Sequence, residues 1–306
     1  MPQPDCGYRQ PTAAGWHNGG MPELPEVQAL ATDLGARLDG RAVARLDIVA
    51  FAALKTFDPP PAALQGLFIN GVGRRGKFLD IHVDGLHLVI HLARGGWIRW
   101  RDEIPTAPPR PGKGPLAARL VLDDGSGLDI TEAGTQKRLA IYVVRELGEI
   151  QGITRLGPDP LADTFTVESL AGILAGAGRA QIKGVLRNQS EIAGIGNAYS
   201  DEILHAAKMS PFKPAAMSPE EVQHLYDAMQ ATLRDAIGRS DGLSASELKG
   251  EKKSGLRVHG KAGQPCPVCG DTVREVSFHD SALQYCPTCQ TGGKPLADRR
   301  LSRLLK

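Results

Sequence analysis

Apolar residues recur at Val27, Leu30, Leu34 and Leu38, a helical spacing that follows Pro25 and the early acid Glu26 and predicts one amphipathic helix. From about Gly40 to Ile150 the period changes to two. Leu79, Ile81 and Val83 alternate with Asp80, His82 and Asp84, and the apolar run Leu86 to Leu92 and the later Ala117 to Leu122 read as further strands. Between them Pro105 to Pro115 is so rich in proline and glycine that only a loop fits. The pattern predicts an antiparallel β-sandwich preceded by a helix. Helical periodicity returns in Leu170 to Leu186, Ala198 to Ala207 and Pro219 to Ile237, the last opened by Ser218 as cap, a proline and two acids. Two short strands, Thr272 to Phe278 and Ala282 to Tyr285, close the pattern as a hairpin. The expected fold is therefore α+β and multidomain. Its parts are an extension over 1–20 that is aperiodic and expected to be disordered, a β-sandwich domain over 21–150, a linker over 151–160, a helical domain over 161–260, a hairpin over 261–290 and a basic tail over 291–306.

Length and charge narrow this picture. The 306 residues have room for two ordinary domains, and no apolar run approaches the eighteen or so residues of a membrane span, so a soluble protein without membrane contact is expected. The balance of 36 Lys/Arg against 34 Asp/Glu leaves only +2, too little to announce a polyanionic partner. Its distribution is more telling. Residues 241–306 hold eleven Lys/Arg against seven Asp/Glu, +4, which leaves −2 for the remainder. Lys294, Arg299, Arg300, Arg303 and Lys306 are where a polyanion backbone could be met, or they form a solvated tail.

Three segments carry chemistry. Cys266-Pro-Val-Cys269 and Cys286-Pro-Thr-Cys289 are two C-x-x-C knuckles spaced for one tetrahedral zinc, which would hold a hairpin too small for a core of its own. No cleavable signal peptide precedes them, which favours metal over disulfides, and the fifth cysteine, Cys6, is expected to be free. In Glu191 to Leu204, Gly194-Ile-Gly196 precedes Asn197 at a helix start, a turn whose amides could face a phosphate or simply join two helices. It is no dinucleotide fingerprint, since no strand-like run precedes it and the third glycine is missing, and no nucleotide cofactor is expected. Finally, Met21-Pro22-Glu23-Leu24-Pro25-Glu26-Val27 looks like a protein N-terminus set behind twenty residues. A chain-opening proline carries a secondary amine that titrates near the α-amino range, about 7.7–8.0, and can attack a sugar aldehyde carbon. Inside a chain the same nitrogen is a planar amide and attacks nothing.

In this order and spacing, MPELPEV (Met21 to Val27), RRGKFL (Arg74 to Leu79), His91-Leu92, RLGPDPL (Arg155 to Leu161), GIGNAYSDE (Gly194 to Glu202) and the zinc hairpin resemble the formamidopyrimidine-DNA glycosylase and endonuclease VIII family of base-excision repair enzymes. The resemblance runs from Met21 to about Gln290 and implies a β-sandwich, a helix-two-turns-helix domain and a zinc finger, with damaged double-stranded DNA bound between the lobes. It also implies a bifunctional glycosylase and AP lyase, monomeric, cytoplasmic and nucleoid-associated as in prokaryotes. Pro22, if terminal, corresponds to the nucleophile at C1′ of a flipped nucleotide; Glu23 to the acid that assists ring opening; Lys77 to a lysine on the phosphate near the lesion; Asn197 and the amides around it to a second phosphate clamp. Glu26 and Glu202 match acidic positions that shape the site, and Arg94, Arg138 and Lys183 complete the residues assigned to DNA. Without the resemblance, Glu23 reads as a helix N-terminal charge and Lys77 as a surface salt-bridge partner.

Departures from the pattern bear on substrate. Where purine-specific relatives carry HLGMSG, this chain has His91-Leu-Ala-Arg94-Gly-Gly, a cation for an apolar wedge. Arg138 and Leu139 stand where a second wedge is expected. Ser281 replaces an arginine five residues before the third cysteine, and Ser240 to Gly255 is shorter than the loop that closes over oxidised guanine. A preference for formamidopyrimidines or oxidised pyrimidines is expected. Gly19-Gly20 before Met21 suggest a ribosome-binding sequence read as protein, so that the start would lie at Met21. Two readings remain besides a catalyst: a damaged-DNA binder without a nucleophile if the extension is retained, and a zinc-ribbon binder unrelated to repair.

Overall fold

The computed structural model describes residues 21–110, 112, 114–278 and 281–297. The expectations for Met1 to Gly20, Cys6, Arg299, Arg300, Arg303 and Lys306 lie outside the described residues. Helix α1 (Leu24–Leu38) starts where expected: Glu23 donates its amide to the Glu26 carboxylate at 2.8 Å, and Pro25 needs no donor in the first turn. Strands β1 (Val43–Ile48), β2 (Ile69–Arg75), β3 (Phe78–Val83), β4 (Leu86–His91), β5 (Gly96–Arg101), β6 (Leu116–Leu122), β7 (Gly127–Glu132) and β8 (Ala140–Val144) form two antiparallel sheets, ordered β1-β6-β7-β5 and β2-β3-β4-β8. The period of two noted in the sequence sends Leu79, Ile81 and Val83 inward with Leu88 and Ile90, against Ile98, Leu120, Leu122, Leu128 and Ile130 of the other sheet. Leu30, Leu34 and Leu38 of α1 extend the same core. Each such side chain contributes about 1.5–3 kcal/mol by leaving water.

Beyond the sandwich follow α2 (Gln151–Thr154), α3 (Val167–Ala177), α4 (Ile182–Arg187), α5 (Asn197–Ala206), α6 (Pro219–Ser240), α7 (Leu248–Gly255), the hairpin β9 (Arg274–Ser277) and β10 (Ala282–Tyr285), and α8 (Pro287–Thr291). The single helix expected over Leu170 to Leu186 is two. The chain leaves α3 at Gly178 with φ +54°, a left-handed turn that its lack of Cβ permits, and Gln181 then pairs with Pro214 before α4 begins. Helix α6 opens as its sequence dictates, Ser218 Oγ accepting the Glu221 amide at 3.3 Å. Residues 241–255 do not form a free loop. Ala245 and Leu248 enter the sandwich core, and Trp97 Nε1 donates to the Ala245 carbonyl at 2.7 Å. No helix among the described residues is long and apolar enough to cross a membrane.

Candidate active site

The start of α1, the β2–β3 turn and the start of α5 converge on a cleft of about 470 Å³. At its floor Glu23, 3% exposed, fills the N-terminal end of α5. Its Oε2 accepts the amides of Gly196 at 2.6 Å and Tyr199 at 3.2 Å, and its Oε1 accepts Ala198 at 2.9 Å. Gly196 is what allows this approach, because a Cβ there would lie 2.4 Å from Glu23 Cδ and 2.7 Å from Lys77 Nζ. Burial pushes the Glu23 carboxyl up, but the Lys252 and Lys77 ammonium groups and the amides of Ala198 and Tyr199 outweigh it and hold it below the ordinary 4.5. Glu23 therefore rests as a carboxylate. The site is dry around it, and the converging positive charge keeps the group ionised at rest, ready to take up a proton. Lys77 lies beside it, buried, its ammonium pushed down from 10.5 by desolvation despite the pull of Glu23.

Glu26 braces this arrangement from behind. Besides its bond to Glu23, its Oε1 accepts the Tyr199 hydroxyl at 2.6 Å, and its Oε2 pairs with Lys252 Nζ at 2.6 Å. Lys252 also donates to the Met21 carbonyl at 3.0 Å, so α7 grips the peptide group whose nitrogen belongs to Pro22. Pro22 is buried next to Glu23.

At the rim, the β4–β5 turn presents Arg94. Gly96 donates to the Leu92 carbonyl at 2.8 Å, Ala93 takes φ +51°, and a Cβ on Gly95 would sit 2.2 Å from the Ala133 carbonyl oxygen, so a tight turn throws the exposed Arg94 into the cleft. Arg187, His91 and His259 line the same space and were not singled out from sequence as site residues. His91 is the last residue of β4, which the sequence showed only as an apolar run, and burial together with the Lys77 charge lowers it to about 4, leaving it neutral. Arg187 ends α4, and His259 is fixed by Asp201 at 2.8 Å; neither has a local motif that could have marked it. Ser281 also faces the cleft.

Other expected DNA contacts are placed elsewhere. Lys183 is 5% exposed and turned inward, its ammonium spent on Asp201 at 2.6 Å, Ser200 Oγ at 2.7 Å and the Asn197 carbonyl at 3.1 Å. Arg138 is exposed but away from the cleft lining. Leu139, 2% exposed, belongs to the sandwich core and cannot wedge into a base stack. The α5 amides assigned to a phosphate are partly taken, since three of them hold Glu23. Asn197 lines the cleft, donates Nδ2 to the Ala282 carbonyl at 2.7 Å and keeps a buried Oδ1 without a partner among the described residues. Glu202 shapes the site through the backbone, accepting the amides of Arg257, Val258 and His259 at 2.8–2.9 Å.

In the hairpin, Cys266, Cys269, Cys286 and Cys289 bring their sulfurs together, with Sγ–Sγ separations of 3.9 Å (Cys266–Cys289) and 3.3 Å (Cys269–Cys286). Four sulfurs around tetrahedral zinc at 2.3 Å stand roughly 3.8 Å apart, so the cluster fits one structural zinc. His205 Nε2 lies 3.3 Å from Cys266 Sγ and orients that ligand.

Three family descriptions match along the chain: the formamidopyrimidine-DNA glycosylase N-terminal domain over residues 21–139, the formamidopyrimidine-DNA glycosylase H2TH domain over 156–247, and the zinc finger found in FPG and IleRS over 263–292. The chain is similar to the formamidopyrimidine-DNA glycosylase of Symbiobacterium thermophilum, 34% identical over 292 residues that cover 92% of this chain and 93% of that one. It is 62% identical over 152 residues to an uncharacterized formamidopyrimidine-DNA glycosylase-like protein of Mycobacterium tuberculosis, a match covering 49% of this chain and 94% of that protein. Among solved structures it is similar to the MutM (Fpg) protein of Thermus thermophilus, with TM-score 0.74 and 30% identity over 90% of this chain and all of that one. It is also similar to the Lactococcus lactis Fpg in complex with DNA containing an abasic site, with TM-score 0.76 and 25% identity over 88% and 99% of the two chains.

Proposed function

Because this chain belongs to the formamidopyrimidine-DNA glycosylase family, we propose that it excises oxidised bases, formamidopyrimidines or oxidised pyrimidines, from double-stranded DNA and then cuts the strand as an AP lyase. The observation that carries this reading is the meeting of Glu23 and Lys77 in one cleft rimmed by Arg94 and Arg187, with Pro22 buried between the cleft-lining Met21 and Glu23. With Pro22 as the first residue, its secondary amine adds to C1′ of the damaged nucleotide and the base departs. The Glu23 carboxylate takes the proton released by the amine and returns it to the sugar ring oxygen as the iminium forms. Loss of the C2′ proton then expels the 3′ phosphate, and a second elimination expels the 5′ phosphate. Lys77 and Arg94 hold the backbone beside the lesion, while the zinc hairpin, tied to α5 through Asn197, supplies a second contact with the duplex. The arginine at position 94 and the anchored α7 segment favour substrates other than 8-oxoguanine. The protein acts as a monomer in the bacterial cytoplasm, on the nucleoid.

A second reading is favoured by the Lys252 contact to the Met21 carbonyl, which holds a peptide-bonded Pro22 beside the cleft. In that form the protein binds damaged DNA without cutting it. Borohydride trapping on abasic-site DNA separates the two. The protein opening at Pro22 is expected to form a covalent adduct and the 306-residue chain to form none; trapping by the intact chain would transfer the nucleophile to a lysine, and absence of trapping by both would refute the lyase.

A further inference from the structure

A second set of metal-type donors lies outside the cleft, on the outer face of the β2-β3-β4-β8 sheet. His82 of β3 and His87 of β4 are directly opposed in the ladder, and Asp80 precedes His82 by two residues, so all three project from one face. The Asp80 carboxylate, its side chain 1% exposed, stands between two imidazoles: Oδ2 is 2.9 Å from His82 Nε2 and Oδ1 is 2.8 Å from His87 Nδ1. The two rings meet edge to face with centroids 4.8 Å apart. Across from Asp80 and His82 on β2 stand Gly73 and Gly71, and no atom of the described residues lies within 4 Å of where a Cβ would be on either. Among the described residues the sheet beside the cluster is uncovered, and His82 is half-exposed there.

We propose that Asp80, His82 and His87 form a second metal site that takes a zinc-class divalent ion, with a fourth position open to water above Gly71 and Gly73. Two imidazoles and one carboxylate with an open position are the donor set of exchangeable zinc sites, in contrast to the closed four-thiolate hairpin. Each imidazole would move its proton to its other ring nitrogen and turn the lone pair facing Asp80 toward the ion. Donors 2.0–2.2 Å from a tetrahedral ion stand roughly 3.3 Å apart. The cluster thus needs to open by about half an ångström, and the His82 side chain, 45% exposed, has room to swing. Bound there, the ion would staple the β3–β4 hairpin. Lys77 and His91 sit at its opposite end, about 10–17 Å along the strands, so the ion would act on the cleft only through the rigidity of that hairpin.

The test is a cobalt titration of the untagged full-length protein with its hairpin zinc in place, followed by visible absorption and by thermal unfolding. One further equivalent is expected in the wild type, with nitrogen–oxygen d–d bands and no thiolate charge-transfer band, and a rise in Tm. His82→Ala/His87→Ala should keep the hairpin zinc and lose both signals; the single His82→Gln at this half-exposed position should keep the metal-free Tm and weaken the second equivalent at least about tenfold. A wild-type protein that binds nothing beyond the hairpin ion, or a second equivalent that persists unchanged in these variants, would overturn the assignment.

Discussion

Replacing Glu23 by Gln probes the charge at the centre of the cleft with almost no change of shape. In the wild type the carboxylate receives three amides, two on Oε2 and one on Oε1. Glutamine keeps one oxygen for Gly196 and Tyr199, but it sets an NH2 group against the Ala198 amide. One charge-assisted bond, about 1.5–3 kcal/mol, is lost, and the remaining two fall to the neutral range of about 0.5–1.5 kcal/mol each. Relief of the burial penalty on the charge offsets part of this, so a loss of about 2–4 kcal/mol at pH 7 is expected. Its pH dependence has a definite sign. The folded carboxyl titrates below 4.5, so its contribution is complete above the unfolded value and fades as pH falls toward the folded one. Urea unfolding of both proteins from pH 7 to pH 3 should give a stability difference that is flat down to about 4.5 and shrinks below it. Base excision by the protein opening at Pro22 should disappear in the variant while binding to abasic-site DNA persists. An equally stable Glu23→Gln protein, or a difference that grows on acidification, would refute the account of a carboxylate held by α5 and two lysines.

Cys286→Ser should lose zinc by elemental analysis and lose DNA binding, with the sandwich still folded by circular dichroism, because the metal organises the hairpin and little else. Arg94→Met should flatten the dependence of excision on the base opposite the lesion and reduce the salt slope of DNA binding by about one; identical profiles in the two proteins would make Arg94 a bystander. Leu139→Ala should destabilise by about 2–5 kcal/mol in chemical denaturation, as a core truncation does, and leave the affinity of the folded protein for DNA unchanged. Lys183→Met should likewise act on stability, through the Asp201 Oδ1 left without its cation, while its salt slope of DNA binding stays that of the wild type.

What the sequence made legible was local. The helix start at Pro25 and Glu26, the alternation in β3, the Ser218 start of α6 and the two cysteine knuckles are decided within a few residues, and each stands where its pattern put it. The break at Gly178 was hidden because Leu170 to Leu186 keeps helical spacing through it, and only the left-handed backbone with the Gln181–Pro214 pairing ends the helix. Charges were the harder case. Lys77 and Lys183 look alike on paper, yet one faces a cleft and the other is enclosed by Asp201 and Ser200, a difference set by residues distant in sequence. Leu139 reads as an exposed wedge until the second sheet closes over it. The family pattern brought Glu23 and the Gly194–Asn197 turn to attention separately; that the carboxylate occupies the very amides thought free for phosphate follows from tertiary packing alone.

The placement of Glu23 on α5 has a mechanical side. A side chain from the helix that completes the sandwich terminates a helix of the other lobe, so pulling the lobes apart would strand an anion without its donors and three N–H groups without their acceptor. Domain opening by a simple hinge is thereby discouraged. The sandwich and the helical unit should melt together, as one cooperative block, and conformational freedom during DNA capture should be confined to what lies outside this clasp: the Arg94 turn and the rim arginine at 187.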